Sequence, residues 1–348
     1  MAKRKAVDHV PATPPAAKKV SGSVGILKKV DSPASATKKV VTFPPPAQLQ
    51  DTLKTFSSNG EVDEVELSNM MSSMETLRGP SLTLWLNELN HNVAALSNHM
   101  NQHLDNFVSE LLKIKWTDQG DAVSTAFINF ITNLVSANAR FTRQTVSIII
   151  DNFKGNDRKT DSIVFEKSHA ALKSLLSVAP VVTRYEILSQ ITNKFPIYKL
   201  PAYRQICFVS AMLEMMRYVP NSKDEILRLL MEKLIILDAH LSRDFISNAY
   251  MIKKEISDDE QNGNVKLDSA VQALDLFMKL MFTFLELETH DDQGQFDAEK
   301  SSSIVDSLMK VFSSHLLRTY NILHTQFLYL YLASLSPIIS ARWELFNH

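Results

Sequence analysis

The chain has 348 residues, 45% of them hydrophobic, enough to bury a large core in two domains or in one extended repeat array. Its formal net charge of −1 conceals nine Lys or Arg against two Asp in residues 1–46, a net +7 that leaves −8 for the rest, so tail and body have different roles. The composition excludes internal disulfides, because Cys207 is alone, and the opening MAKRK lacks the apolar core of a secretory signal, so an intracellular protein in a reducing compartment is expected.

Residues 1–48 read as a disordered basic tail. Residues 1–46 hold seven of the 13 prolines and repeat a short unit at ten-residue intervals, AAKKV at 16–20, ILKKV at 26–30 and ATKKV at 36–40; such a composition cannot bury a core. Lys3, Arg4, Lys5, Lys18, Lys19, Lys28, Lys29, Lys38 and Lys39 are candidate nuclear-import residues. Contact with nucleic acid through the tail is expected to be weak or indirect, because Phe43 is its only aromatic stacking partner. Lys39, Val41 and Phe43, in KVVTF, resemble the RVxF docking motif for protein phosphatase 1, whose two apolar side chains fill adjacent pockets from one side of an added strand. Thr13 and Ser32, each followed by proline, are candidate phosphorylation sites.

Residues 49–79 form an acidic transitional segment with one weak helix through Leu67, Met70, Met71 and Met74. Residues 80–348 are expected to form the solenoid, and from residue 80 to 335 every apolar pattern has the helical period. Leu82, Trp85, Leu89, Val93 and Leu96 define one continuous helix, and Leu104, Phe107, Val108 and Leu111 its partner. After the turn at 115–121, a helix through Val123, Phe127, Phe130, Ile131 and Leu134 breaks near Asn138, and its partner carries Val146, Ile149, Ile150 and Phe153. The loop at 154–162 leads to a helix containing SHAALKSLL that ends near Pro180.

The stretch from Thr183 to Leu241 is the densest. Thr183 and Glu186 read as a capping box, followed by Ile187, Leu188, Ile191 and Phe195, with a stop at Pro196. A second helix starts at Pro201 and runs to about Tyr218; a third opens on a second capping box, Ser222 and Glu225. These helices are apolar over more than half their circumference and need cover on two sides, which a stack of hairpins supplies. Past the acidic loop at 253–264, a helix from about Leu267 to Glu288 is almost wholly apolar. Another loop at 289–299 precedes a helix through Ile304, Leu308, Val311 and Phe312, and the chain closes on an aromatic helix, Phe327 to Leu332, apolar on all sides. The fold class expected is all-α, a HEAT-like α-solenoid of antiparallel helix pairs.

No catalytic pattern emerges: the eight glycines form no phosphate-cradling loop, and no cofactor or metal is expected. His99 and His103 stand four apart, but Met100 occupies the place of the glutamate in HExxH, and a solvated pair is the better account. The run from Phe327 to Ile339, interrupted by Ser334, Ser336 and Pro337, is too short for a membrane span. No enzymatic activity is expected.

Several blocks carry a resemblance: NLVSANARFTRQTVSIIIDNF (133–153), FEKSHAAL (165–172), NKFP (193–196), RYVP (217–220), EILRLLMEKLIILD (225–238) and LDSAVQALDLFMKLM (267–281). In this order they resemble successive segments of the RNA polymerase I-specific transcription initiation factor family. The resemblance implies a HEAT-repeat adaptor in the nucleus and nucleolus. Such an adaptor binds RNA polymerase I, recruits it to promoter-bound core factors at ribosomal RNA genes, and is regulated by phosphorylation. Thr183 sits near a regulatory position of the family and is a further candidate phosphorylation site, although Arg184 rather than proline follows it. The family continues with further repeats where this chain stops at His348. A generic HEAT scaffold or phosphatase-regulatory adaptor is the alternative, and a nucleic-acid-binding protein would explain the lysines of the tail.

Overall fold

A computed structural model describes residues 64–98, 102–156, 158–241, 269–320 and 322–335. Their helices are α1 (Glu64–Thr76), α2 (Gly79–His91), α3 (Val93–Asn98), α4 (Gln102–Leu112), α5 (Asp121–Ala137), α6 (Thr142–Asp151) and α7 (Asp161–Val178). They continue with α8 (Pro180–Lys194), α9 (Ala202–Tyr218), α10 (Lys223–His240), α11 (Ser269–Thr289), α12 (Ala298–Ser314) and α13 (Gln326–Leu335). Among the described residues there is no β-strand, only one isolated bridge between His290 and Phe296.

The helices stack in two rows. In one, α2, α5, α7, α9 and α11 pack each on the next; in the other, α4, α6, α8, α10 and α12 do the same. Each pair therefore covers the apolar side of its neighbour, which is the arrangement of an all-α solenoid. Two-sided cover explains the apolar content of α9 and α10. Phe208, Met212 and Met215 of α9 are buried, as are Leu227, Leu230 and Ile235 of α10. In the segment read as transitional, Met70 and Met74 of α1 are already buried, and α1 packs on α4.

The helix expected to run unbroken through Leu96 divides at Asn92. Its side-chain amide donates back to the Glu88 carbonyl at 2.9 Å, an alternative to the helical ladder. The break expected near Asn138 is present, and Asn138 works on both sides of it. Its side-chain Oδ1 accepts from Arg140 N at 3.1 Å, and its side-chain Nδ2 donates to Ser97 O at 2.9 Å, tying the α5–α6 corner to the end of α3.

Neither expected capping box forms. Helix α8 begins at Pro180, three residues before Thr183, because a proline loses nothing in a first turn whose N–H groups are unpaired anyway. Ser222 does precede α10, but its backbone (φ −121°, ψ 14°) continues a 3₁₀ turn, not the extended entry that aims an N-cap oxygen inward, and its hydroxyl is buried without a partner among the described residues. A working cap is Asp297, which accepts from Glu299 N at 3.0 Å and Lys300 N at 2.9 Å to start α12. On α13, Leu328, Tyr329 and Leu332 are buried while Phe327 and Leu330 are about half exposed, so this helix is covered on one side and open on the other.

Candidate interaction surface

Side chains that sequence alone makes chemically suggestive are mostly structural. Burial pushes the Cys207 thiol up from its ordinary value, and Asp161 beside it accepts the Tyr203 hydroxyl at 2.8 Å. His169 is enclosed by Phe153 and Tyr218; burial, and then the Lys173 charge, lower its pKa to about 4, so it is a neutral partner of the Tyr218 hydroxyl at 2.8 Å. Among the described residues, no three His, Cys, Asp or Glu side chains converge as metal ligands, and no helix is long and apolar enough to cross a membrane. His103 lies on α4, and His99 falls outside the described residues, as do Thr13, Ser32, the Lys39–Val41–Phe43 element and the tail lysines.

Thr183 is described, and it is fully enclosed. Its hydroxyl points back to Leu175 O at 3.4 Å on the inner face of α8, with no surface open to a kinase in this conformation.

What α8 exposes in its first turns is largely apolar. Val181 and Tyr185 are 75% and 69% exposed, and Val178 and Val182 flank them at 40% each. At 100° per residue, Val181, Val182 and Tyr185 share the outer face of α8, opposite Thr183, Ile187, Gln190 and Ile191, which are buried. Ala179, the single residue joining α7 to α8, sets Val178 at the tip beside them. Scattered exposed apolar residues are ordinary, whereas four at one hairpin tip form a contiguous patch of the kind that engages a protein partner. A sequence signal existed in PVVTRY, where two valines and a tyrosine oppose the core-facing isoleucines.

The family model of the RNA polymerase I specific transcription initiation factor RRN3 matches residues 47–246 and 242–344. The chain belongs to this family. Among relatives of the RRN3 family, the mouse RNA polymerase I-specific transcription initiation factor RRN3 is 24% identical over 314 residues, covering 79% of this chain and 47% of the relative. The fission yeast (Schizosaccharomyces pombe) factor is 19% identical over 332 residues, covering 83% of this chain and 54% of the relative. The crystal structure of RNA polymerase I transcription initiation factor Rrn3 superposes with a TM-score of 0.66 over 85% of this chain and 57% of that one; at 17% identity it supports the RRN3 fold. The chain spans about half the length of the curated RRN3 relatives it matches.

Proposed function

We propose that this chain acts as an RNA polymerase I transcription initiation factor, an adaptor that binds the polymerase and brings it to core factors at the ribosomal RNA gene promoter. The observation that carries the reading is the family match, which runs through nearly all of the solenoid and not through one short motif. The surface fits an adaptor: the apolar ridge of Val178, Val181, Val182 and Tyr185 offers a protein-docking patch on a rigid scaffold. In this reading the tail lysines direct nuclear and nucleolar import. Thr13 and Ser32 accept regulatory phosphate, and Lys39, Val41 and Phe43 recruit protein phosphatase 1 to remove it.

Affinity purification from nuclear extract, with subunits identified by mass spectrometry, tests the proposal. The wild-type chain is expected to recover RNA polymerase I, and the Val181→Asp, Tyr185→Asp variant to recover far less. Wild-type recovery of a phosphatase or transport complex without polymerase would favour the generic scaffold and sink the initiation reading. Equal recovery of polymerase by the variant would retain that reading and remove the ridge from it.

A further inference from the structure

Helices α6 and α8 leave a groove of about 370 Å³ between them, lined by Arg140, Arg143, Gln144, Ser147 and Gln190. All five side chains carry hydrogen-bond donors, and none is acidic. Arg140 has its guanidinium held in place: Nη2 lies 2.8 Å from Asp105 Oδ1 on α4, and the group sits over the Phe141 ring, 4.6 Å from its centroid. Arg143 follows three residues later on the same side of the chain and is exposed. At the far end Lys194 takes no part, because its ammonium donates to Ser147 O and Oγ, each at 2.7 Å, and pairs with Asp151.

Gln190 supplies a second, independent indication. It is 6% exposed, it lines the groove, and its side-chain amide forms no hydrogen bond with the described residues. The amide is open to the groove, where a ligand can take the place of water as its partner. Glu186, one turn before Gln190 on α8, is outside the lining.

We propose that this groove binds an extended acidic segment of a protein partner. Residues three apart at the start of a helix hold their β-carbons roughly 5–6 Å apart, close to the roughly 6.6 Å between alternate side chains of an extended strand. Two carboxylates at i and i+2 therefore meet Arg140 and Arg143 in register, and Gln190 and Gln144 are left to pair with the backbone between them. Guanidinium forks suit carboxylates in two-point contact. Nucleic acid fits less well, because no aromatic side chain lines the groove to stack a base. The acidic-segment site is separate from the Val181–Tyr185 ridge and does not depend on which complex that ridge engages.

Fluorescence anisotropy on the full chain tests it, with a labelled peptide of alternating aspartate and alanine as the probe. Binding is expected to weaken by about ten-fold in Arg143→Glu and several-fold in Gln190→Leu, and to fall with added salt. Thermal melts accompany each variant, and Arg143→Ala stands in if Arg143→Glu unfolds. A phosphoserine peptide bound at the same groove and weakened by the same substitutions supports the site. Unchanged binding in both variants would assign the peptide to the basic tail and overturn the proposal. Equal binding of a lysine–alanine peptide, displacement by inorganic phosphate at equal concentration, or tighter binding of single-stranded RNA at the same groove would overturn it as well.

Discussion

Asp238 Oδ2 accepts both the amide and the hydroxyl of Thr325, at 2.7 and 2.9 Å, from a position with no solvent exposure. The same oxygen accepts from His324 N at 2.8 Å, and His324 Nδ1 lies 3.0 Å from Oδ1. The last turn of α10 therefore supplies the acceptor for the N–H groups that precede α13, a helix cap delivered from 86 residues away. Asp238→Ala should cost about 3 kcal/mol, because it orphans several buried donors at once. Asp238→Asn should cost less, since it keeps one acceptor oxygen. Urea denaturation of the three proteins checks the order; an alanine variant within about 0.5 kcal/mol of the parent would mean that water satisfies those donors.

Gly155 joins two constraints. Its φ of +64° disfavours other residues, and a β-carbon there would meet Cys207 Sγ at 2.9 Å and Asp161 Oδ2 at 3.1 Å. Asp161 has no room to retreat, because it accepts from Asn156 N at 3.0 Å and from the Tyr203 hydroxyl. Gly155→Ala should destabilise by roughly 2–4 kcal/mol, and adding Cys207→Ala should recover only the part due to Sγ, leaving the Asp161 contact and about 1 kcal/mol of backbone strain. Thermal unfolding of the single and double variants forms the cycle that separates the Sγ part from the rest. Complete recovery would show that the Asp161 contact and the backbone conformation carry no cost.

His169 gives the protein an acid limb. Its folded pKa of about 4 lies below the ordinary 6.5, so between those values the unfolded chain takes up a proton that the folded chain refuses. Stability from this group is fully present above about pH 6.5 and is lost as the pH falls towards 4, by about 3 kcal/mol in all. Denaturant midpoints measured across that window should fall less steeply in His169→Gln, which no longer titrates. An identical slope in the variant would assign the acid sensitivity to carboxylates such as Asp151, where burial raises the pKa but Lys154 and Lys194 outweigh it and hold the group low.

The basic tail should act alone as an import signal. Residues 1–46, fused to a cytoplasmic reporter, are expected to move it to the nucleus, and replacing Lys18, Lys19, Lys28 and Lys29 with alanine should halve that redistribution or more. Fluorescence microscopy reads the ratio directly. A reporter that stays cytoplasmic with all nine basic residues intact removes the import role.

The helices and their class were legible in the sequence because apolar periodicity is a local property. Each of α5 through α12 can be placed from its own residues, and apolar cover on two sides of α9 and α10 implied a stack before any contact was known. Prolines were less decisive. Pro180 reads equally as the end of α7 and the start of α8, and only packing put Thr183 inside the helix with its hydroxyl enclosed. Tertiary structure alone decided which polar residues are internal. Asp238 looks like one more charge on an amphipathic helix, and its burial depends on donors 86 residues downstream. The Arg140–Arg143–Gln190 groove likewise exists only because α6 lies beside α8, and no local pattern shows which faces of two helices will meet. Periodicity fixes the side of a helix that seeks cover; the neighbouring repeat determines what covers it and what remains open to a partner.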